Sequence, residues 1–233
     1  MKKISLLLVL MCSFFMSGCS NNTSDYASLG EYRDAISKVR DSYKTFTIKT
    51  HSRADNMITD STLFIKNNKW KNVYTTRILD IQYLLFELLG EKQINTNLYD
   101  GGDSVAAYGG LDPDYYELNP VSSGYYKKLD DPFLNMIFEP FVLLSTYKFE
   151  YRMTKKNGFQ CRLIKSNNAD VCISDKYGIA VYYKVKAGRG FLTTNVKEID
   201  TSDISDSEFE LPKNMKLVPE GNFVEIEDEW SDN

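Results

Sequence analysis

Lys148 to Ile199 reads KFEYRMTKKNGFQCRLIKSNNADVCISDKYGIAVYYKVKAGRGFLTTNVKEI, and its punctuation is that of an antiparallel meander. Runs rich in Val, Ile, Phe and Tyr alternate with clusters of Asn, Asp, Ser and Gly, the pattern of short strands joined by tight turns. Strands are predicted over Lys148–Thr154, Phe159–Lys165, Val171–Ser174, Ile179–Lys186 and Phe191–Ile199. The turns between them are Lys156-Asn157-Gly158, Ser166–Asp170, Asp175-Lys176-Tyr177-Gly178 and Ala187-Gly188-Arg189-Gly190. In the first hairpin Phe149, Tyr151 and Met153 are expected to face Phe159, Cys161 and Leu163.

Upstream the same alternation recurs. Thr45–His51 sets Phe46 and Ile48 on one face against Thr45, Thr47 and Lys49 on the other. Ile58–Lys66 and Trp70–Arg77 follow around Asn67-Asn68-Lys69, and Gln93–Tyr99 and Ser104–Tyr108 around Asp100-Gly101-Gly102. Leu29–Tyr43 differs, with Tyr32, Ile36, Val39 and Tyr43 at helical spacing. Ile78–Leu89 reads as a short helix and Leu111–Gly124, with Pro113 and Pro120, as a loop. Asp130-Asp131-Pro132 has the form of a helix start, and Phe133–Leu144 after it is apolar nearly all round, with Pro140 expected to kink or break it. The fold expected is α+β: one curved antiparallel sheet, a half-barrel, with helices closing its concave side.

The N-terminus carries an export address. Lys2 and Lys3 precede the apolar run Ile4–Leu10, which Met11 to Met16 extends. That run is shorter than the ~20 residues a spanning helix needs. Met16-Ser17-Gly18-Cys19 resembles the lipobox of bacterial lipoproteins, which implies a signal peptide over residues 1–18 and lipid on Cys19. Residues 19–28 then read as a polar tether, 29–224 as the folded domain and 225–233 as an acidic tail. Ser20 after the cysteine resembles the sorting signal for an outer-membrane destination, facing the periplasm. Of the four cysteines, Cys12 leaves with the signal peptide, and Cys161 and Cys172 remain in an oxidising compartment. A disulfide across neighbouring strands is expected, stabilising by roughly 3 kcal/mol. Two reduced buried cysteines are the alternative; a redox pair would want Cys-x-x-Cys spacing.

The inventory of reactive groups is thin. His51 is the single histidine and sits among polar neighbours, so Ser-His-Asp or Cys-His chemistry has little to build on. No nucleophile elbow, P-loop or His-Glu-x-x-His is present. Asp200, Asp203 and Asp206 lack the spacing and glycine of a calcium loop. An enzyme is not expected, and neither a metal nor a cofactor. The chain carries a net charge of −4, and loss of Lys2 and Lys3 would leave 26 basic against 32 acidic residues, or −6. Such a balance argues against nucleic acid and against electrostatic docking on anionic lipid.

Four features stand together: the helix-first layout, Tyr99-Asp100-Gly101-Gly102 with Tyr108 on the next strand, Val171–Ile179 around Asp175-Lys176-Tyr177-Gly178, and Val196–Ile199 followed by Phe209-Glu210-Leu211-Pro212. In these the chain resembles the LolA/LolB-like superfamily of periplasmic lipoprotein carriers and lipid-binding lipoproteins. The resemblance spans about Leu29 to Val218. It implies an antiparallel half-barrel, lidded by helices, whose cavity accepts acyl chains. The expected lining is Phe46, Ile48, Leu63, Ile65, Val73, Ile94, Leu98 and Val105, with Leu134, Ile137, Phe138 and Phe141 from the lid. The partners expected are a membrane, through Cys19, and a hydrophobic ligand such as lipid or lipoprotein acyl chains. The rival reading is an envelope sensor or protein-interaction module on the same fold.

Overall fold

The computed structural model describes Tyr26 and residues 28–55, 57–78, 94–102, 104–109, 112–120, 132–144, 151–188 and 190–217. The expected signal peptide, Cys19, the expected acidic tail and most of the Ile78–Leu89 segment lie outside the described residues; Ile78 itself ends a strand.

Among the described residues twelve strands form one sheet. In chain order they are β1 (Thr45–Ala54), β2 (Met57–Lys66), β3 (Lys69–Ile78), β4 (Asn95–Tyr99), β5 (Ser104–Gly109), β6 (Asp112–Pro120), β7 (Tyr151–Lys156), β8 (Phe159–Lys165), β9 (Ala169–Ser174), β10 (Ile179–Ala187), β11 (Gly190–Asp200) and β12 (Lys216–Leu217). Across the sheet the order is β12-β6-β5-β4-β3-β2-β1-β11-β10-β9-β8-β7. All neighbours are antiparallel except β12, which runs parallel to β6 at Tyr115 and Tyr116. The fold is thus mostly β. Its sheet is open, neither closed nor strongly curled, where the sequence suggested a half-barrel.

Two-residue turns set much of the register. Asn67 (φ 54°) and Asn157 (φ 50°) take the left-handed conformation that asparagine tolerates, so Lys66 pairs Lys69 and Lys156 pairs Phe159. The second pairing corrects the expected one. With a turn of two residues rather than three, Tyr151 opposes Ile164 and Arg152 opposes Leu163, and a one-residue slip exchanges the faces. Residues 112–120 are a strand, not the expected loop. Pro113 falls in the irregularity between the pairs Tyr108↔Tyr116 and Gly109↔Asp112, and Pro120 at the strand's end, the two places where a missing N–H is harmless.

Two helices are described, α1 (Leu29–Asp41) and α2 (Pro132–Phe138). Ser28 caps α1 by accepting from the Glu31 N–H at 3.1 Å. α2 stops before Pro140, whose ring excludes a helical hydrogen bond, and a 3-10 turn (Pro140–Leu143) continues the chain. Both helices cover one face of the sheet. Tyr32 and Ile36 of α1 and Ile137 and Phe138 of α2 share a core with Phe46, Ile48, Leu63, Trp70, Val171 and Tyr183. On the far face the segment after β11 crosses β2 to β5, where Ile204 and Phe209 cover Leu98, Ala106 and Phe64. The Lys66 ammonium binds the Ile204 carbonyl (2.6 Å) and Asp203 (3.3 Å), and Lys71 binds Glu208 (3.2 Å). At the other end the β7–β8 turn folds over this same face. Its Asn157 amide donates to Asn195 of β11 at 3.1 Å, and Lys156 lies over the Tyr182 ring at 4.6 Å.

Candidate ligand site between the second helix and the sheet

The helix-facing side of β1–β4 is built in rungs, because opposed residues of paired antiparallel strands share a face. The first rung is apolar and aromatic: Phe46, Ile65, Trp70, Tyr99. The second is mixed: Ile48, Leu63, Asn72, Asn97. The third, Thr50, Ser61 and Tyr74, and the fourth, Thr194, Ser52, Thr59 and Thr76, are polar. Their hydroxyls pair across strands: Thr50 with Ser61 at 2.9 Å, Ser52 with Thr194 at 2.7 Å and Thr59 with Thr76 at 3.1 Å. The face therefore grades from aromatic at the Thr45 end to hydroxyl-rich toward the β1–β2 turn.

α2 crosses this gradient. Phe138 packs edge-on against Phe46 at 5.5 Å, on the aromatic rung. Ile137 stands over a small cavity lined by Thr50, Ser61, Leu63, Asn72, Tyr183 and Thr194. Its volume is about 10 Å³, room for one water molecule and not for an acyl chain. Phe141, in the 3-10 turn, meets the Tyr32 ring edge-on at 5.9 Å. One cation fastens the segment. The Arg40 guanidinium donates to the Phe138 carbonyl and pairs with Glu139 at 2.7 Å, a positive charge at the C-terminal end of α2.

α1 is held more firmly. The Tyr32 hydroxyl donates to Asp175 at 3.1 Å, and Arg162 donates to the other carboxylate oxygen at 2.7 Å. Burial, and then the adjacent Asp175 carboxylate, pushes the Tyr32 phenol far above its ordinary range, so it remains a donor. The Arg162 guanidinium lies over the rings of Tyr151 (4.6 Å), Tyr26 (5.3 Å) and Tyr32 (5.7 Å). Gly178 (φ 69°) lets the β9–β10 turn touch the helix backbone; a Cβ there would lie 2.5 Å from the Ile36 carbonyl and the Arg40 nitrogen.

Eight of the twelve expected lining residues meet in this layer. Phe46, Ile48, Leu63, Ile137 and Phe138 are buried in it, and Ile65, Val105 and Phe141 are packed against it. Leu98 is buried in the far-face cluster instead. Val73, opposite Thr96, points to that far side too, since alternation sends Trp70 and Asn72 to the helices and Lys71 and Val73 away from them. Ile94 is 54% exposed just before β4. The Leu134 side chain lies outside the described residues.

No family model matches the chain, and no curated protein matches it. Among solved structures it is similar to the crystal structure of MucB. The identity is 10% and the TM-score 0.46, over 83% of this chain and 66% of that one, just under two thirds of its length. The hypothetical protein CT021 from Chlamydia trachomatis gives 9% identity and a TM-score of 0.32, over 68% of this chain and 89% of that one.

Cys161 and Cys172 are bonded across β8 and β9, with Cα atoms 5.4 Å apart, as befits an oxidising compartment. Among the described residues no helix is long and apolar enough to cross a membrane. His51 lies on the far face, its Nδ1 2.7 Å from Asp60. Asp200 accepts from Ser202, and Asp203 and Asp206 flank Lys66. Sequence reasoning missed Arg40, Arg162 and the hydroxyl rungs. The rungs leave a trace, Thr50 and Ser52 against Thr59 and Ser61, which register alone makes readable. Arg40 acts on partners about a hundred positions away, and Arg162 joins Asp175 of a neighbouring turn to Tyr32 of α1, so no local pattern marks either.

Proposed function

We propose that this chain is a non-enzymatic binding protein of the bacterial envelope that takes the acyl part of a lipid or lipoprotein between α2 and the sheet. The observation that carries the reading is the α2 segment itself. It is a short apolar cover ending at Pro140, fastened by Arg40 and laid over a face that is aromatic under Phe138 and imperfectly filled under Ile137. Swinging it aside would uncover Phe46 and Leu63, two positions of the apolar lining that the LolA/LolB-like resemblance implies. In the form described the layer is closed, and acyl burial at ~25 cal/mol per Å² is what would favour opening. Cys19 would hold the protein at a membrane, by the Ser20 signal the outer one. A tethered protein of this kind receives or presents a lipid at one surface rather than shuttling it.

The test is native mass spectrometry of the Cys19→Ala protein, otherwise full length, together with titration of a fluorescent acyl probe. A stoichiometric lipid adduct, or saturable probe binding that Ile137→Trp abolishes, is expected. No adduct and no binding, even after Arg40→Ala releases α2, overturns the reading. A second reading, a protein-interaction module, is favoured by the closed layer and by exposed Met57 (37%) and Phe191 (52%) on neighbouring hairpins. It predicts loss of a partner on Phe191→Ser with no change in acyl binding.

A further inference from the structure

We infer that the ligand carries an uncharged hydrogen-bonding group, a hydroxyl, ester or amide, where its acyl chain begins, and neither a carboxylate nor a phosphate. The inference rests on the acyl-binding reading and adds the class of head group. Its basis is the grading of the helix-facing side. The aromatic rung Phe46, Ile65, Trp70, Tyr99 suits the chain. The rungs beyond it present Thr50, Ser61, Asn72, Tyr183 and Thr194 around one cavity, with Ser52, Thr59 and Thr76 leading outward to solvent.

Every polar group on these rungs is a hydroxyl or an amide, each able both to donate and to accept. Such a lining satisfies an ester, an amide or an alcohol. It offers no counter-charge to an anion, whose burial without one is costly. The cations of the same strands are turned to the far face: Lys49 pairs with Glu198 (2.7 Å), Lys66 with Asp203 (3.3 Å), Lys71 with Glu208 (3.2 Å) and Arg77 with Asp60 (3.2 Å), and alternation sends Arg53 and Lys69 the same way. Arg162 is engaged by Asp175 under α1. Arg40 sits at the opposite, aromatic end with Glu139. Among the described residues, that is where an anionic head would have to lie, reversing the chain.

Three probes sharing one oleoyl chain decide the matter: 1-oleoylglycerol, oleate and 1-oleoyl lysophosphatidic acid, each competing with a fluorescent acyl probe on the Cys19→Ala protein. The expected result is displacement by oleoylglycerol at about tenfold lower concentration than by either anion, the scale of one or two hydrogen bonds. The Ser61→Ala, Asn72→Leu double variant should narrow that gap to about threefold or less, and Thr50→Val provides the same readout should the double variant fail to fold. Oleate or the lysophosphatidic acid competing as well as oleoylglycerol overturns the inference while leaving acyl binding intact. So does a preference that survives both sets of substitutions. Failure of all three probes removes the acyl-binding reading, and the inference with it.

Discussion

α1 and α2 cover the same face of the same sheet, yet they are attached by different means. α1 contributes two buried side chains, Tyr32 and Ile36, and meets the β9–β10 turn at backbone distance through Gly178. Its Tyr32 closes a network in which Asp175 receives both a phenol and a guanidinium. α2 is about half as long, has a small cavity lined by Leu63 and by hydroxyl and amide side chains under Ile137, and depends on Arg40 of the other helix for its last turn. Burial under matched surface makes a fixed cover. A short cover laid over a small cavity and fastened by a cation from the other helix is the one expected to open first.

The largest effect should come from removing the anchor of α1. Tyr32→Ala deletes a fully buried ring and leaves Arg162 and Asp175 to reorganise, and it should lower unfolding stability by about 3–5 kcal/mol in urea denaturation. A loss under 1 kcal/mol would mean that α1 is as dispensable as α2 and would dissolve the contrast. Next comes the sheet on which α1 rests. Cys161 and Cys172 lie 11 positions apart, and replacing both by serine should cost about 3 kcal/mol in the chain-entropy model. Thermal unfolding with and without reductant checks it. Wild type should shift with reductant and the double variant should not.

Arg40→Ala tests the other cover. It removes the charge at the end of α2 and should cost only ~1 kcal/mol globally. Hydrogen exchange should separate the two regions: amides of residues 132–144 exchange faster, whereas those of β1 to β3 keep their protection. Uniform acceleration across both would show that Arg40 supports the whole layer and not α2 alone.

How far these features were legible in the chain follows from the range of the interactions that make them. Alternation in Thr45–His51 is local, and it set Phe46 and Ile48 together on one face, which the structure covers with the helices. Ser28, Pro132 and Pro140 act on their own helix ends, so the two helices could be placed from neighbouring residues. The β7–β8 register turned on whether one residue, Lys156, belongs to the turn or to the strand, and the error exchanged faces. Leu98 and Val73 were misassigned because an apolar residue on a strand does not say which face has the helices. Here the far face has an apolar cover of its own, Ile204 and Phe209, brought back from beyond β11. Phe209-Glu210-Leu211-Pro212 was noticed as a motif, but its site on β2 to β5 is a tertiary fact.

The smallest effect belongs to the far face of β1 to β3, behind the hydroxyl rungs, and it supplies the baseline for the other two. Asp60 stands 2.7 Å from His51 Nδ1 and 3.2 Å from Arg77, half exposed. The hydrogen bond from His51, with help from Arg77, holds its carboxyl below the ordinary aspartate range against a smaller opposing effect of burial. A depressed folded value means that Asp60 stabilises fully above the unfolded value, about 3.9, and that this contribution is lost as pH falls through the folded one. Solvent screening keeps it under ~1 kcal/mol. Asp60→Asn should therefore destabilise slightly at neutral pH, and the difference from wild type should vanish once the medium is acidic enough to protonate Asp60 in both states. It should leave acyl-probe affinity unchanged, because the two described helices cover the other face of the sheet. Were Asp60→Asn to change probe affinity as much as Arg40→Ala does, ligand binding would sense the sheet as a whole, and the division between a fixed cover and a movable one would no longer describe it.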